Sequence, residues 1–551
     1  MRFLSILVAA AVCGLSTAAT VRADHHEKTV PPRYSRPAGG ITIGPDSTAL
    51  PTDGVVRLSL DEAIRIGLVK NLSVQAERYS PYLAREDQKQ AWGAYDPVFS
   101  GGLDWSDIHS PNSFSLNTAE VSKDEKLGGS AGLKGSVPYL GTSYEIALET
   151  GRTETNNSIT SFSPQYDSSI NFIFRQPLLR NLVWSNEWTQ IRRAELGVSS
   201  SLQEFRSSTM DTVASIEDAY WLLIARREQV RVDRKSLETT RALLDQTQTQ
   251  FDVGVVSKVE VIEAEAGVAE REFNLIVSEN AYQNSEDLLI DLVYGAELRA
   301  VTDISLEPTE RPDDYVVFEV VVAQSAKMAF ELRPELEVAR DAIERQETEV
   351  RFAKNQRLPS LDAMVSYGNR NQSGFPNPNL NPNFLIGSPG PPPSSDYGDS
   401  YTGFIGDAPR QLTAGAVLSI PLLNQTARAG VSKAEVALRR SHTNLRRVEQ
   451  TVVLEVRSAA RGLDAARKGI LAAERRSGAA EEQLRAEKIR LEYGESTPFD
   501  VLQRERDLVD AESQKIEALR AYRAAATRLD RSQGTILRSR KISIEEVAEL
   551  R

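Results

Sequence analysis

FDVGVVSKVEVIEAE, residues 251–265, and LEYGESTPFDVLQRE, residues 491–505, are two versions of one turn. In each, a glycine, Gly254 or Gly494, follows an amphipathic run at the place where a left-handed residue ends a helix. Each then offers a cap for a returning helix: Ser257 in the first, Ser496 or Thr497 in the second, with Pro498 in the second helix's first turn. Upstream of the first turn, Ile216, Leu223, Val230, Leu237, Leu244 and Phe251 recur every seven residues. Adding 240 gives Val456, Leu463, Ile470, Ser477, Leu484 and Leu491, the same stripe with one apolar position lost. A stripe this regular is a coiled-coil seam. No proline interrupts the chain between Pro177 and Pro308 or between Pro421 and Pro498, so both stretches can run as long helices. The pattern predicts two helical hairpins, 185–296 and 424–537, returning along Lys258 to Tyr294 and Pro498 to about Leu537. A continuous helix from about Trp188 to Val253 reaches on the order of 100 Å at about 1.5 Å per residue, a length suited to bridging a distance.

Ahead of each hairpin the period falls from 3.5 to 2. Leu412, Ala414, Ala416, Leu418 and Ile420 alternate with Gln411, Thr413, Gly415, Val417 and Ser419, as in a strand with one apolar face. Leu361, Ala363, Val365 and Tyr367 do the same, as do Ile170, Phe172 and Phe174, and Val98 to Asp107 is a further candidate. The strand-to-helix junctions Gln176-Pro177-Leu178-Leu179 and Ile420-Pro421-Leu422-Leu423 repeat each other at an offset of 244. Short alternating segments of this kind are the signature of outer-membrane strands, and equally of an ordinary two-sheet domain. Seven prolines between Pro376 and Pro393 mark an external loop within 371–410.

The remaining features set the compartment. Residues 1–23 combine Arg2, an apolar run from Phe3 to Val12 and a small-residue end at Val21-Arg22-Ala23, which reads as a secretory signal cut after Ala23. The competing reading is a membrane helix from Phe3 to Val21, weakened by Ser16, Thr17 and Thr20; lipidation at Cys13 is disfavoured by the bulky Val12 before it. Residues 24–54 form a Pro/Gly-rich leader whose His25 and His26 are an adjacent solvated pair. The formal charge of −12, becoming −14 without Arg2 and Arg22, argues against nucleic acid as a partner. Cys13 is the single cysteine, and the other histidines, His109 and His442, are isolated. No catalytic constellation, metal set or cofactor site assembles from these residues, so an enzyme is not expected. Carboxylate pairs such as Glu263 with Glu265, or Glu481 with Glu482, lie on solvated helices.

Taken together, these features resemble the TolC-type outer membrane efflux family over about Leu58 to Leu537. The carrying residues are the start helices LSLDEAIRIGLVKNLSV (58–74) and AQSAKMAFELRPELEV (323–338), the QPLL and IPLL strand ends, and the two hairpin tips, in an order repeated twice. The first repeat is expected over 55–310, with strands in 96–179, and the second over 311–540, with strands in 361–421, before a tail at 541–551. The resemblance implies a mainly α chain with a membrane β-barrel portion. Three copies would build a long α-barrel tunnel of helical hairpins and a twelve-stranded barrel from four strands each. Extra strand-like stretches around Leu133 and Tyr144 to Leu148 leave the two membrane strands of the first repeat unassigned. Closure by several chains also follows from physics, because strand edges cannot be left open in lipid.

The resemblance further implies an outer membrane channel of a tripartite efflux or type I secretion system. Its implied partners are a periplasmic adaptor (membrane fusion protein), an inner-membrane transporter reached through that adaptor, and outer membrane lipid. Asp500 matches the family's first gate carboxylate and Gln503 stands where a second is found; Glu260 and Glu263 are the first-copy equivalents. Three copies of Asp500 would form a cation-concentrating ring, although an acidic residue in the first turn also favours the helix dipole by itself. Leu491 and Ser496 replace the Tyr and Arg that tie the gate shut in the familiar pattern. Gly254, Val255, Val256 and Ser257, with Gly494, Glu495, Ser496 and Thr497, are the implied adaptor-docking tips. Trp92, Trp105, Trp184 and Trp188 flank the strands, either as interface anchors or as packing at strand–helix junctions. The contrasting reading is a periplasmic or surface coiled-coil structural protein that forms no channel.

Overall fold

The computed structural model describes residues 53–111, 119–295, 303–311, 313, 315, 320–380, 395–402 and 409–543. The signal segment 1–23, all but the end of the leader 24–54, the proline cluster 389–393 and most of the tail 541–551 lie outside the described residues. In chain order the elements are β1 (Asp53–Leu58), α1 (Leu60–Lys70), α2 (Leu72–Trp92), β2 (Val98–Pro111), β3 (Val121–Val137), β4 (Thr142–Thr155), β5 (Phe162–Pro177), α3 (Asn186–Asp252) and α4 (Lys258–Tyr294). The second half continues with β6 (Asp303–Pro308), α5 (Val322–Leu332), α6 (Pro334–Gln356), β7 (Ser360–Pro376), α7 (Tyr397–Thr402), β8 (Arg410–Ser419), α8 (Gln425–Glu492), α9 (Pro498–Gln533) and α10 (Ile536–Ser539). Contacts divide the described chain into a sheet unit, 86–195 with 345–438, and a helical unit, 53–85 with 196–344 and 439–543.

The sheet unit holds one antiparallel sheet in the order β2-β3-β4-β5-β7-β8. Its register aligns Phe99, Leu133, Ile146, Phe172, Tyr367 and Leu412 as one cross-strand row, with an apolar or aromatic residue from every strand. The adjacent row, Ser100, Gly132, Ala147, Asn171, Gly368 and Gln411, lies on the opposite face because successive side chains alternate. The apolar sets at 170–174, 361–367 and 412–418 therefore share one side. The strand number departs from expectation: among the described residues this sheet holds six strands, where four per chain were expected. The stretches around Leu133 and Tyr144 to Leu148 are the centres of complete strands, so 96–179 contains four strands where two were expected. Their signal is weak because β3, VSKDEKLGGSAGLKGSV, spaces its few large apolar residues with glycine, serine and alanine. β7 runs to Pro376, and the following loop includes the short helix α7.

In the helical unit, each expected start helix is two helices. Asn71 ends α1 and caps α2, its Oδ1 accepting from the N–H groups of Ser73 (3.0 Å) and Val74 (3.2 Å). The second copy breaks 262 residues later at Arg333, where Pro334 opens α6. β1 and β6 form a two-stranded parallel sheet, pairing Val56 with Leu306, which the periodicity did not predict. Leu58 and Leu306 join Ile64, Phe205, Ile216, Tyr220, Leu223 and Leu289 in a core where helices and small sheet meet. The heptad stripe is buried at Ile216, Leu223, Leu237, Val456, Leu463, Ile470 and Leu484, and Phe251 is exposed near the first turn. α9 stops at Gln533 instead of about Leu537, because Gly534 takes φ +76° and Thr535 donates its N–H to the Asp530 carbonyl at 2.9 Å.

Candidate functional site

Both tips of the helical unit are built by the same hydrogen bonds. At the first, the N–H of Gly254 (φ +82°) donates to the Phe251 carbonyl and that of Val255 to the Gln250 carbonyl, both at 2.9 Å. At the second, the N–H of Gly494 (φ +75°) reaches Leu491 at 3.1 Å and that of Glu495 reaches Arg490 at 2.8 Å. This double closure satisfies the last carbonyls of α3 and α8 and requires a left-handed residue at the glycine. A Cβ at either glycine would meet nothing within 4 Å, so conformation, not crowding, selects glycine here.

The returning helices start in capping boxes. Glu260 accepts from the N–H (3.5 Å) and Oγ (3.1 Å) of Ser257. Asp500 accepts from the N–H (3.2 Å) and Oγ1 (2.7 Å) of Thr497, and its own N–H donates back to Thr497 Oγ1 at 3.3 Å. The Thr497 side-chain and backbone bonds hold the Asp500 carboxyl below the usual aspartate value, so it is ionised at neutral pH. Thus the capping role is present for Asp500 and for Glu260. One turn further, Gln503 and Glu263 are both exposed on their helices.

Leu491 and Ser496, beside the second turn, are each held by neighbours. Leu491 packs against the buried cluster of Leu243, Leu484, Val501 and Leu502, and Ser496 Oγ donates to Glu487 Oε1 at 2.5 Å. Around the turns, Val253, Val255, Val259, Tyr493 and Phe499 are exposed, while Val256 is half-buried. The tip surface therefore combines unpartnered apolar side chains with Glu495 and the two capping carboxylates.

A buried acid just behind the second tip escaped sequence reading. Glu505, 3% exposed, accepts from Thr240 Oγ1 at 3.2 Å. Burial pushes its pKa up, against the Thr240 hydrogen bond and the charges of Lys488 and Arg271. Its copy 240 residues earlier, Glu265, is exposed, so residue type and spacing did not distinguish them. A carboxyl whose folded pKa is raised contributes stability below its unfolded pKa and loses it as pH rises through the folded value. Glu505→Gln keeps the shape and the acceptor without the charge. It should melt about 2 °C higher than the parent at neutral pH and match it near pH 4; an unchanged difference across that range would refute the assignment.

The tryptophans divide into packed and exposed positions. Trp92 and Trp188 meet edge to face at 6.3 Å, and Tyr139, in the turn between β3 and β4, packs 4.7 Å from Trp188. Arg351 lies over the Trp184 ring at 5.7 Å, whereas Trp105 is exposed on β2. At the junctions, Pro177 is buried and the next N–H, of Leu178, bonds the Leu361 carbonyl at 2.7 Å; Pro421, Leu422 and Leu423 are exposed. Among the described residues, no group of three or more His, Cys, Asp or Glu side chains is placed to hold a metal ion, and no helix is long and apolar enough to cross a membrane.

The family model described as outer membrane efflux protein matches residues 134–293 and again 326–535. The chain is similar to the outer membrane protein TolC of Vibrio cholerae, 23% identical over 366 residues, which are 65% of this chain and 75% of that protein. It is also similar to the pyoverdine export outer membrane protein OpmQ of Pseudomonas aeruginosa, 25% identical over 243 residues, 43% of this chain and 48% of that one. Among solved structures, the Campylobacter jejuni CmeC outer membrane channel superposes with a TM-score of 0.63 at 14% identity, covering 89% of each chain.

Proposed function

The chain belongs to the outer membrane efflux protein family, and from that membership we propose that it works as a homotrimeric, passive exit duct for small molecules or proteins. Its hairpin tips would meet a periplasmic adaptor, which links it to an inner-membrane transporter, while its sheet faces outer membrane lipid. The observation that carries this reading is the pairing, in one chain, of a sheet with an unbroken apolar row on one face and two long hairpins with matching tips. The apolar row suits lipid and the small or polar row suits a wet lumen. The helices α3 and α8 follow directly on β5 and β8, so each repeat commits its strands to the membrane and its hairpin to the compartment beneath. The domain scheme of two repeats, 55–310 and 311–540, fits the two matched segments.

In this arrangement three copies of Asp500, with Gln503, Glu260 and Glu263 near them, would line the narrow end and favour cations. The reading is tested by reconstituting the mature protein in planar bilayers. Conducting, heat-resistant trimers are expected, and a protein that never conducts would be the non-channel coiled-coil structure instead. Asp500→Asn removes the charge while leaving an oxygen for Thr497. It should keep the melting temperature within about 2 °C, since a cap retained costs little, yet lower cation preference several-fold. Unchanged ion preference would remove Asp500 from the gate.

A further inference from the structure

We propose that β8 of one copy pairs with β2 of the next, so that three copies close a wall of 18 strands, six from each chain. The inference rests on the trimeric channel reading above and goes beyond it by placing β3 and β4 in the wall. Three observations carry it.

The first is the sheet order. β3 and β4 lie between β2 and β5, bonded on both sides over registers that run from Val98 with Lys134 to Pro111 with Val121, and from Ser143 with Arg175 to Thr153 with Gln165. A hairpin folded out of the wall would forfeit both ladders. The second is chemistry and length. Leu133 of β3 and Ile146 of β4 continue the apolar row, joined by Ala131 and Leu148. On the other face Ser130 stands opposite Glu149, and Lys134 opposite Glu145. At 17 and 14 residues, both strands exceed the roughly 9–11 needed to span a bilayer. Tyr139 at their turn packs on Trp92 and Trp188, so the hairpin reaches the end of the sheet where the neighbouring helices attach.

The third is where exposure collects. Every residue of β8 is exposed, and in β2 every residue except Ser106; Leu103 is 90% exposed. Long apolar edges with free N–H and C=O groups cannot remain open in lipid. β2 and β8 are separated by five antiparallel steps, so they run in opposite directions. The edge of one copy therefore meets the opposite edge of the next in the same alternation, a head-to-tail contact that closes as a ring. With strands about 4.8 Å apart and tilted about 40°, twelve strands give a backbone diameter of about 24 Å and 18 give about 36 Å. The extra hairpin widens the exit through the membrane by about half.

The test uses the full chain in lipid nanodiscs. Native mass should give three copies, and sections through a cryo-electron microscopy map should count 18 strands. In a Cys13→Ser background, bimane on Leu133→Cys and Leu148→Cys should be quenched by nitroxide-labelled lipid within about twofold of Phe172→Cys. Ser130→Cys and Glu149→Cys should be quenched several-fold less. Three copies around twelve strands, with Leu133→Cys unquenched, would overturn this inference and leave the channel reading standing. A mass of two copies would overturn the trimeric reading and the 18-stranded wall together.

Discussion

Arg333→Ala should lower folding stability by about 2 kcal/mol at neutral pH, because it leaves the partly exposed carboxylates of Glu335 and Glu455 without their buried partner. The Arg333 side chain is 7% exposed. Its Nε and Nη2 each donate to the Glu335 carboxylate at 3.1 Å, and Nη1 is paired with Glu455. Arg531 approaches Glu335 from α9 at 2.9 Å and also holds Asp211, so the start of α6, α3, α8 and α9 are tied through one charge cluster. Burial alone would push the Glu335 carboxyl up. The hydrogen bonds of Arg333 and the charge of Arg531 outweigh it and hold the pKa at about 2, against an ordinary 4.5. The full shift corresponds to about 3 kcal/mol, reduced to about 2 because the carboxylate is partly exposed.

The sign follows from a folded pKa below the unfolded one. The contribution is present above about pH 4.5 and fades as pH falls towards 2. Burial pushes Asp218, Asp233, Glu286 and Asp530 the other way, so the whole acid profile is a balance and the difference between variants isolates Glu335. Chemical unfolding of the full chain in detergent, followed by far-ultraviolet circular dichroism, should show the Arg333→Ala deficit shrinking as the pH drops from 5 to 3. A deficit below about 1 kcal/mol, or one independent of pH, would mean that solvent already satisfies this cluster.

This cluster marks where sequence reading stops. The hairpins were legible because their signals are local and duplicated: a seven-residue stripe, a proline-free run, then a glycine and a capping residue. The turns at Gly254 and Gly494 could be placed to the residue, since a left-handed helix end leaves few alternatives. Arg333 gave no such sign, because Glu455 lies 122 residues from it, and Arg531, which completes the cluster on Glu335, lies 196 residues from that carboxylate. The strand count failed for a related reason. Alternation is readable when one face is uniformly apolar, as in Leu412 to Ile420, and unreadable when glycine and serine stand at both parities, as in β3. Likewise β1 and β6 are too short to show a period, and their pairing is decided by packing on Tyr220 and Leu289. For the candidate gate, Asp500 could be named from the family resemblance and Glu260 from the internal repeat, but their capping geometry only from coordinates.

Gly254→Arg combined with Gly494→Arg should reduce adaptor capture at least tenfold while leaving the trimer intact. The structure separates these effects. Each glycine has φ near +80° with open space where a Cβ would stand, so substitution costs about 1–2 kcal/mol per site in backbone strain and displaces no packed atom. That strain falls at the loop ends of helices whose cores, Leu243 with Leu484, Val501 and Leu502, remain untouched. The added side chains would instead crowd the exposed apolar group of Val253, Val255, Tyr493 and Phe499, the part of the tip whose burial would reward a partner. Asparagine tolerates the left-handed conformation and is small, so Gly254→Asn with Gly494→Asn is the matched control and should capture adaptor within about threefold of the parent. Site-specific crosslinking in cells, with trimer mass measured in parallel, provides the readout. Equal capture by the arginine and asparagine pairs would show that the adaptor grips the helices above the turns, and would remove residues 254–257 and 494–497 from the docking surface.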